Sequence, residues 1–181
     1  MQLTTLPNEA YRMTDSEVLE RYMYGNKCRL TLVSPSLVAH TYEFSLPNNK
    51  SEFPEDVRFV YSIHTTPEKT VQKYYLGMME NGQFRLTKHS RFLEDSDVVK
   101  GAKYIVKLAT NQTFFNNTPM KLYHNGRCAR CGKLLDSARS IKDGYGKKCL
   151  KMQIIHRMEH RVEGLKEYSQ QISLKDVFEY H

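Results

Sequence analysis

Apolar side chains recur along the first two-thirds of the chain with two different periods. Val18, Leu19, Tyr22 and Met23 follow Thr14-Asp15-Ser16-Glu17 at spacings that gather on one face of a short helix. The Thr-x-x-Glu spacing is that of a capping box, in which hydroxyl and carboxylate each satisfy an orphan backbone amide, and Gly25 is placed to end the helix. From Arg29 the pattern changes to short runs rich in Thr, Val, Tyr and Phe, at 30–33, 37–45, 58–64 and 74–79, parted by turn clusters such as Ser34-Pro35-Ser36 and Pro47-Asn48-Asn49-Lys50. These predict antiparallel strands. Asn81-Gly82, between 75–79 and 84–87, predicts a hairpin, because a type I′ turn needs positive φ at both central residues. Asp95 or Ser96 can cap a second helix carrying Val98, Val99, Ala102, Ile105, Val106 and Ala109 on one face. The polar stretch 111–119 reads as a loop or linker. A final helix is expected from about 147 to about 168, striped by Leu150, Ile154, Met158, Val162 and Leu165.

The fold class this implies is α+β. A small antiparallel sheet with flanking helices occupies residues 1–118, and a second module with a long C-terminal helix occupies 119–181. Composition agrees with a folded chain. Of 181 residues, 11% are aromatic and 40% hydrophobic, enough apolar surface to offset the ordering entropy of the chain. No window approaches the ~18–20 apolar residues of a membrane helix, and the start lacks the basic and apolar regions of a signal peptide. The expectation is a cytoplasmic protein of a bacterial cell with no membrane partner.

Charge changes the picture more. The net charge of +7 is local: between Lys121 and Arg161 there are 11 basic residues against three acidic ones, while the other 140 residues hold 16 basic and 17 acidic. Three of the four cysteines lie in the same basic segment. Thiols and excess positive charge thus belong to one module.

Within it, His124-x3-Cys128-x2-Cys131-x17-Cys149 has metal-ligand spacing. Two thiolates three residues apart can wrap one tetrahedral ion, and the following Gly132 lets backbone amides approach the sulfurs. The expected ion is Zn²⁺. For the fourth ligand, His156 lies seven residues beyond Cys149, about 10 Å along a helix, whereas ligands of one zinc lie within about 4 Å of each other. His156 and His160 are set aside on that ground, and His124 completes a Cys3His site of zinc-ribbon or treble-clef type. Four strong ligands close the coordination sphere, and no general base of the deaminase type stands nearby, so a single structural ion is expected. Cys28, alone in a strand, reads as a buried small hydrophobe.

Arg127-Cys128-Ala129-Arg130-Cys131-Gly132-Lys133-Leu134-Leu135 and Ser140-Ile141-Lys142-Asp143-Gly144-Tyr145-Gly146-Lys147-Lys148-Cys149 resemble the motif CxxCGRxL…SIxxGxGPxC of an uncharacterised zinc-motif family seen in phage, plasmid and bacterial proteins. The lead-in from His124 is similar too. Lys133 stands where the family usually has Arg, and Lys147 where it usually has Pro. The resemblance implies a zinc site and a mobile-element origin and supplies no reaction.

Function is therefore read from charge. No Walker loop, nucleophile elbow, dinucleotide fingerprint or small-molecule substrate pattern occurs, so no enzyme is expected. Arg127, Arg130, Lys133, Arg139, Lys142, Lys147, Lys148 and Lys151, with Tyr123 and Tyr145 for stacking, suit a nucleic-acid-binding surface around a zinc core. The alternative is an interaction factor that binds and inhibits an acidic host protein or nucleoprotein complex of the anti-CRISPR or anti-restriction type. Gly144 and Gly146, just before the last helix, either shape a local anion site or steer the chain into the zinc.

Overall fold

The computed structural model describes residues 7–66, 68–156 and 158–159. It divides into two compact units, Met1–Gly146 and Lys147–His181. Helix α1 spans Ser16–Met23. Five strands follow, β1 (Cys28–Val33), β2 (Ala39–Ser45), β3 (Arg58–Thr65), β4 (Val71–Glu80) and β5 (Gln83–Arg85). Then come α2 (Asp97–Thr110), α3 (Gln112–Asn116), β6 (Lys121–His124) and α4 (Ala138–Asp143). In the second unit a helix, α5, runs over residues 147–156 and includes 158–159. The expected helix beyond, with Val162 and Leu165, lies outside the described residues.

All six strands form one antiparallel sheet in the order β5-β4-β3-β2-β1-β6. Consecutive strands pair except at β6, which returns from α3 to lie beside β1 with His124 opposite Leu30. The opening of the metal-binding segment is thus an edge strand of the sheet. Asn81 and Gly82 both have positive φ, 50° and 67°, as the type I′ turn between β4 and β5 requires.

Strand periodicity sorts side chains to two faces. Leu30, Leu32, Tyr42, Phe44, Val60 and Leu76 are buried on one. Against that face lies α2, whose Gly101 meets the Tyr42 ring, and Tyr42 donates from its hydroxyl to the Val98 carbonyl at 3.0 Å. From α1, Leu19, Tyr22 and Met23 are fully buried. Arg58 is 5% exposed, and its guanidinium donates to the carbonyls of Glu55, Val57 and Tyr24 at 2.6–2.8 Å.

Three local expectations are corrected. The cap of α1 is Asp15, whose carboxylate accepts the Val18 N–H at 3.0 Å, rather than Thr14; the carboxylate competes well for an orphan amide at the positive end of the helix. Ser96 occupies the cap position of α2 but donates its hydroxyl to Leu93 instead of capping. The stretch 111–119 contains α3, started by Asn111, whose side-chain oxygen accepts the Phe114 N–H at 2.8 Å, and held by buried Phe115. Two phenylalanines were enough to seat one turn of helix that polar composition concealed. No helix among the described residues is long and apolar enough to cross a membrane.

Candidate metal centre

Residues 126–135 form a tight hairpin. Arg127 bridges Leu134, the Leu135 N–H donates to the Gly126 carbonyl at 2.9 Å, and the Cys128 N–H donates to the Lys133 carbonyl at 2.8 Å. At the tip, the Gly132 N–H returns to the Cys128 carbonyl, with Gly132 at φ +76°. Only a residue without a Cβ penalty adopts that turn readily. The chain then enters α4, capped by Ser137 and ended by Gly144 at φ +71°, and reaches Cys149 in the first turn of α5.

The hairpin is anchored on α1 and the start of β1. Tyr22 donates from its hydroxyl to the Arg127 carbonyl at 3.2 Å, and Tyr145 donates to the Arg21 carbonyl at 2.6 Å. Their rings meet edge-on with centroids 6.2 Å apart. The Lys27 N–H donates to the Ala129 carbonyl at 2.6 Å, and Gly25 is in contact with Ala129, where any Cβ would fall 2.5 Å from the alanine methyl. Gly25 therefore serves a close approach between segments, and Gly144 does the same against the Tyr22 ring.

The sulfurs of Cys128, Cys131 and Cys149 all lie within 4.8 Å of one another. All are free thiols, Cys128 buried, Cys149 half-buried and Cys131 exposed. Tetrahedral zinc with Zn–S bonds of ~2.3 Å separates its sulfurs by ~3.8 Å, so the triad fits a thiophilic ion with little movement. Burial alone would raise the Cys128 thiol; backbone N–H groups of Cys131, Gly146 and Arg130 aim at it and bring it below its usual value instead. That is the form a metal takes. Cys28 has the opposite environment. It is fully buried in β1, and burial holds its thiol well above the usual range, so it stays protonated and outside the triad.

His124, expected as the fourth ligand, is not brought into this group. Strand pairing fixes it opposite Leu30. Its Nδ1 accepts the Gly126 N–H at 3.1 Å, its ring lies 5.3 Å from Tyr11 and 5.5 Å from Tyr22, and its Nε2 is buried. Burial lowers its pKa to about 4, with the Ile141 carbonyl opposing that shift. His156 is exposed on α5, and His160 lies outside the described residues.

The basic residues separate by exposure. Arg127, Lys133, Arg139 and Lys142 are exposed on the hairpin and α4, and Lys147, Lys148 and Lys151 are exposed on α5, while Arg130 is half-buried. The Arg127 guanidinium reaches the Gly132 carbonyl at 3.1 Å, and Arg139 pairs weakly with Asp143 at 3.8 Å. Tyr145 and Tyr123 are corrected: each is 1% exposed. Tyr145 anchors the hairpin and Tyr123 donates to Glu9 at 2.6 Å, so neither offers a face for stacking. Sequence spacing flagged both as aromatics within a basic run, and packing consumed them.

The model of DUF6011, a family of unknown function, matches residues 122–152, which span β6, the hairpin, α4 and the Cys149 turn. No curated protein and no solved structure matches the chain.

Proposed function

We propose that this protein is a non-enzymatic zinc-binding protein that uses its basic thiol hairpin to hold nucleic acid. The observation that carries the reading is the convergence of three cysteine sulfurs beside exposed cations, Arg127 and Lys133 on the hairpin and Arg139 and Lys142 on α4. Zn²⁺ would be held by Cys128, Cys131 and Cys149, and when bound it would supply a rigid scaffold by cross-linking the hairpin to the start of α5. Three thiolates and one Zn²⁺ add about one negative charge, which leaves the segment strongly basic. Cations fixed on a rigid hairpin neutralise phosphates and release counterions, so affinity should fall steeply with salt.

The test is a titration of zinc-loaded protein against labelled DNA and RNA at several salt concentrations. Tight binding at low salt, with a log–log salt slope of several units that shrinks by about one per charge removed in Lys133→Gln and Lys142→Gln, is the expected result. Absence of binding, or binding indifferent to salt and to these substitutions, overturns the reading.

A further inference from the structure

The sheet face turned away from α2 carries a continuous set of aromatic rings. Arg29, Glu43, Tyr61 and Tyr75 form one cross-strand row, one residue from each of β1 to β4. The Tyr61 and Tyr75 rings meet edge-on at 5.6 Å, Phe59 meets Tyr75 at 5.6 Å, and Phe53 from the preceding loop meets Phe59 at 5.3 Å. All four are only half-buried. A contiguous set of phenylalanine and tyrosine rings left accessible on a sheet face marks an interaction surface.

Cations border the Tyr61 part of the row. Glu43 is already neutralised twice, by Arg29 at 2.8 Å and Lys73 at 2.5 Å, and the Lys73 ammonium lies 4.0 Å from the centre of the Tyr61 ring. Arg29 follows Lys27, which is exposed and runs past Gly132 at the tip of the thiol hairpin. Cations thus lead from the hairpin through Lys27 and Arg29 to the aromatic row, and three strand spacings of ~4.8 Å carry that row across about 14 Å.

We propose that this face is a stacking platform for single-stranded nucleic acid, with bases against Tyr61, Tyr75 and Phe59 and phosphates toward Lys27, Arg29 and Lys73. The inference rests on the nucleic-acid reading above and narrows it to unpaired strands. A duplex hides its base faces and presents phosphates that the rings cannot use, whereas an unpaired strand offers both a π-face for each ring and a charge for each cation.

Zinc-loaded full-length protein is titrated, by fluorescence anisotropy, with labelled oligothymidylate, oligouridylate and a DNA duplex of equal length. Single strands are expected to bind more tightly than duplex. Tyr61→Leu and Tyr75→Leu should each weaken strand binding by about 5- to 150-fold without changing the salt slope, and Tyr61→Phe and Tyr75→Phe should retain it. Photo-crosslinking of iodouracil-containing strands to the unaltered protein gives a readout that does not depend on variants folding: crosslinks at Tyr61 or Tyr75 support the proposal, and crosslinks confined to 126–151 overturn it. Equal affinity for strand and duplex, with the leucine variants unaffected, overturns the platform and leaves the basic-hairpin reading standing. No binding to any nucleic acid overturns both. A concentration-dependent dimer abolished by Tyr75→Leu, with strand binding intact, assigns the face to a second copy of the chain and overturns the proposal.

Discussion

His124 shows how packing sets a side chain's affinity for protons. Four residues before Cys128, it is held in the core by β6 pairing and by the Tyr11 and Tyr22 rings. Its folded pKa of about 4 lies below the ordinary histidine value of ~6.5. The unfolded chain therefore binds more protons between these values. The stabilisation is complete above pH ~6.5 and is lost as pH falls toward 4, about 3 kcal/mol in all. Urea unfolding of wild type and His124→Gln across that range should show a steeper acid loss in the wild type, over and above the zinc release that both proteins suffer when thiolates take up protons. Zinc content of the variant at neutral pH should remain one per chain; a variant that fails to retain zinc would make His124 the fourth ligand instead. Cys28 makes the complementary point: in β1 burial outweighs the one backbone hydrogen bond from Phe44 and keeps the thiol protonated, whereas backbone amides of Cys131, Gly146 and Arg130 together outweigh burial at Cys128.

Among the elements, α2 carries the clearest conflict between local and tertiary preferences. Gly101 sits in mid-helix, where alanine is favoured by about 1 kcal/mol on propensity alone. A Cβ there would fall 2.1 Å from the Tyr42 hydroxyl oxygen, which is itself bonded to Val98. Gly101→Ala should therefore destabilise the protein by about 1–3 kcal/mol, the cost of overpacking a closed contact, as read from the urea midpoint. An unchanged or raised midpoint would mean that helix and sheet separate at little cost. The periodicity that predicted α2 gave its buried face correctly, through Val98, Val99, Ala102, Ile105, Val106 and Ala109. It gave no reason for the glycine, because that reason is a tyrosine 59 positions earlier on a strand.

For the whole molecule, zinc should matter regionally. The sheet rests on its own apolar face, whereas residues 126–146 have short hydrogen-bonded turns and few buried side chains beyond Cys128, Ala129, Leu135 and Tyr145. A segment that small would draw much of its folding energy from a metal held by the triad, on the order of 10 kcal/mol for a structural site. Chelation should raise amide exchange strongly in 126–146 and leave β1 to β4 protected. Cys149→Ser should reproduce the exchange pattern of the chelated protein, and Cys28→Ser should retain zinc. Uniform loss of protection after chelation would show instead that the sheet also depends on the metal.

Much of this was legible in order along the chain. Alternation of apolar residues gave the strands within two or three residues, Asn81-Gly82 gave the hairpin because no other short sequence fits two positive φ values so readily, and the Cys-x2-Cys…Cys spacing gave the thiol triad. Each signal is local, fixed by backbone sterics or by the reach of a few residues. What the tertiary structure decided are the contacts that close at long separation: Tyr145 buried against α1 rather than presented to a base, His124 paired opposite Leu30, β6 returned to the edge beside β1, and Phe53, Phe59, Tyr61 and Tyr75 gathered from two strands and a loop onto one face. Which face of a strand is covered depends on where helices far away in sequence come to rest, and a pattern of apolar positions records that a side chain prefers contact without recording what it will touch.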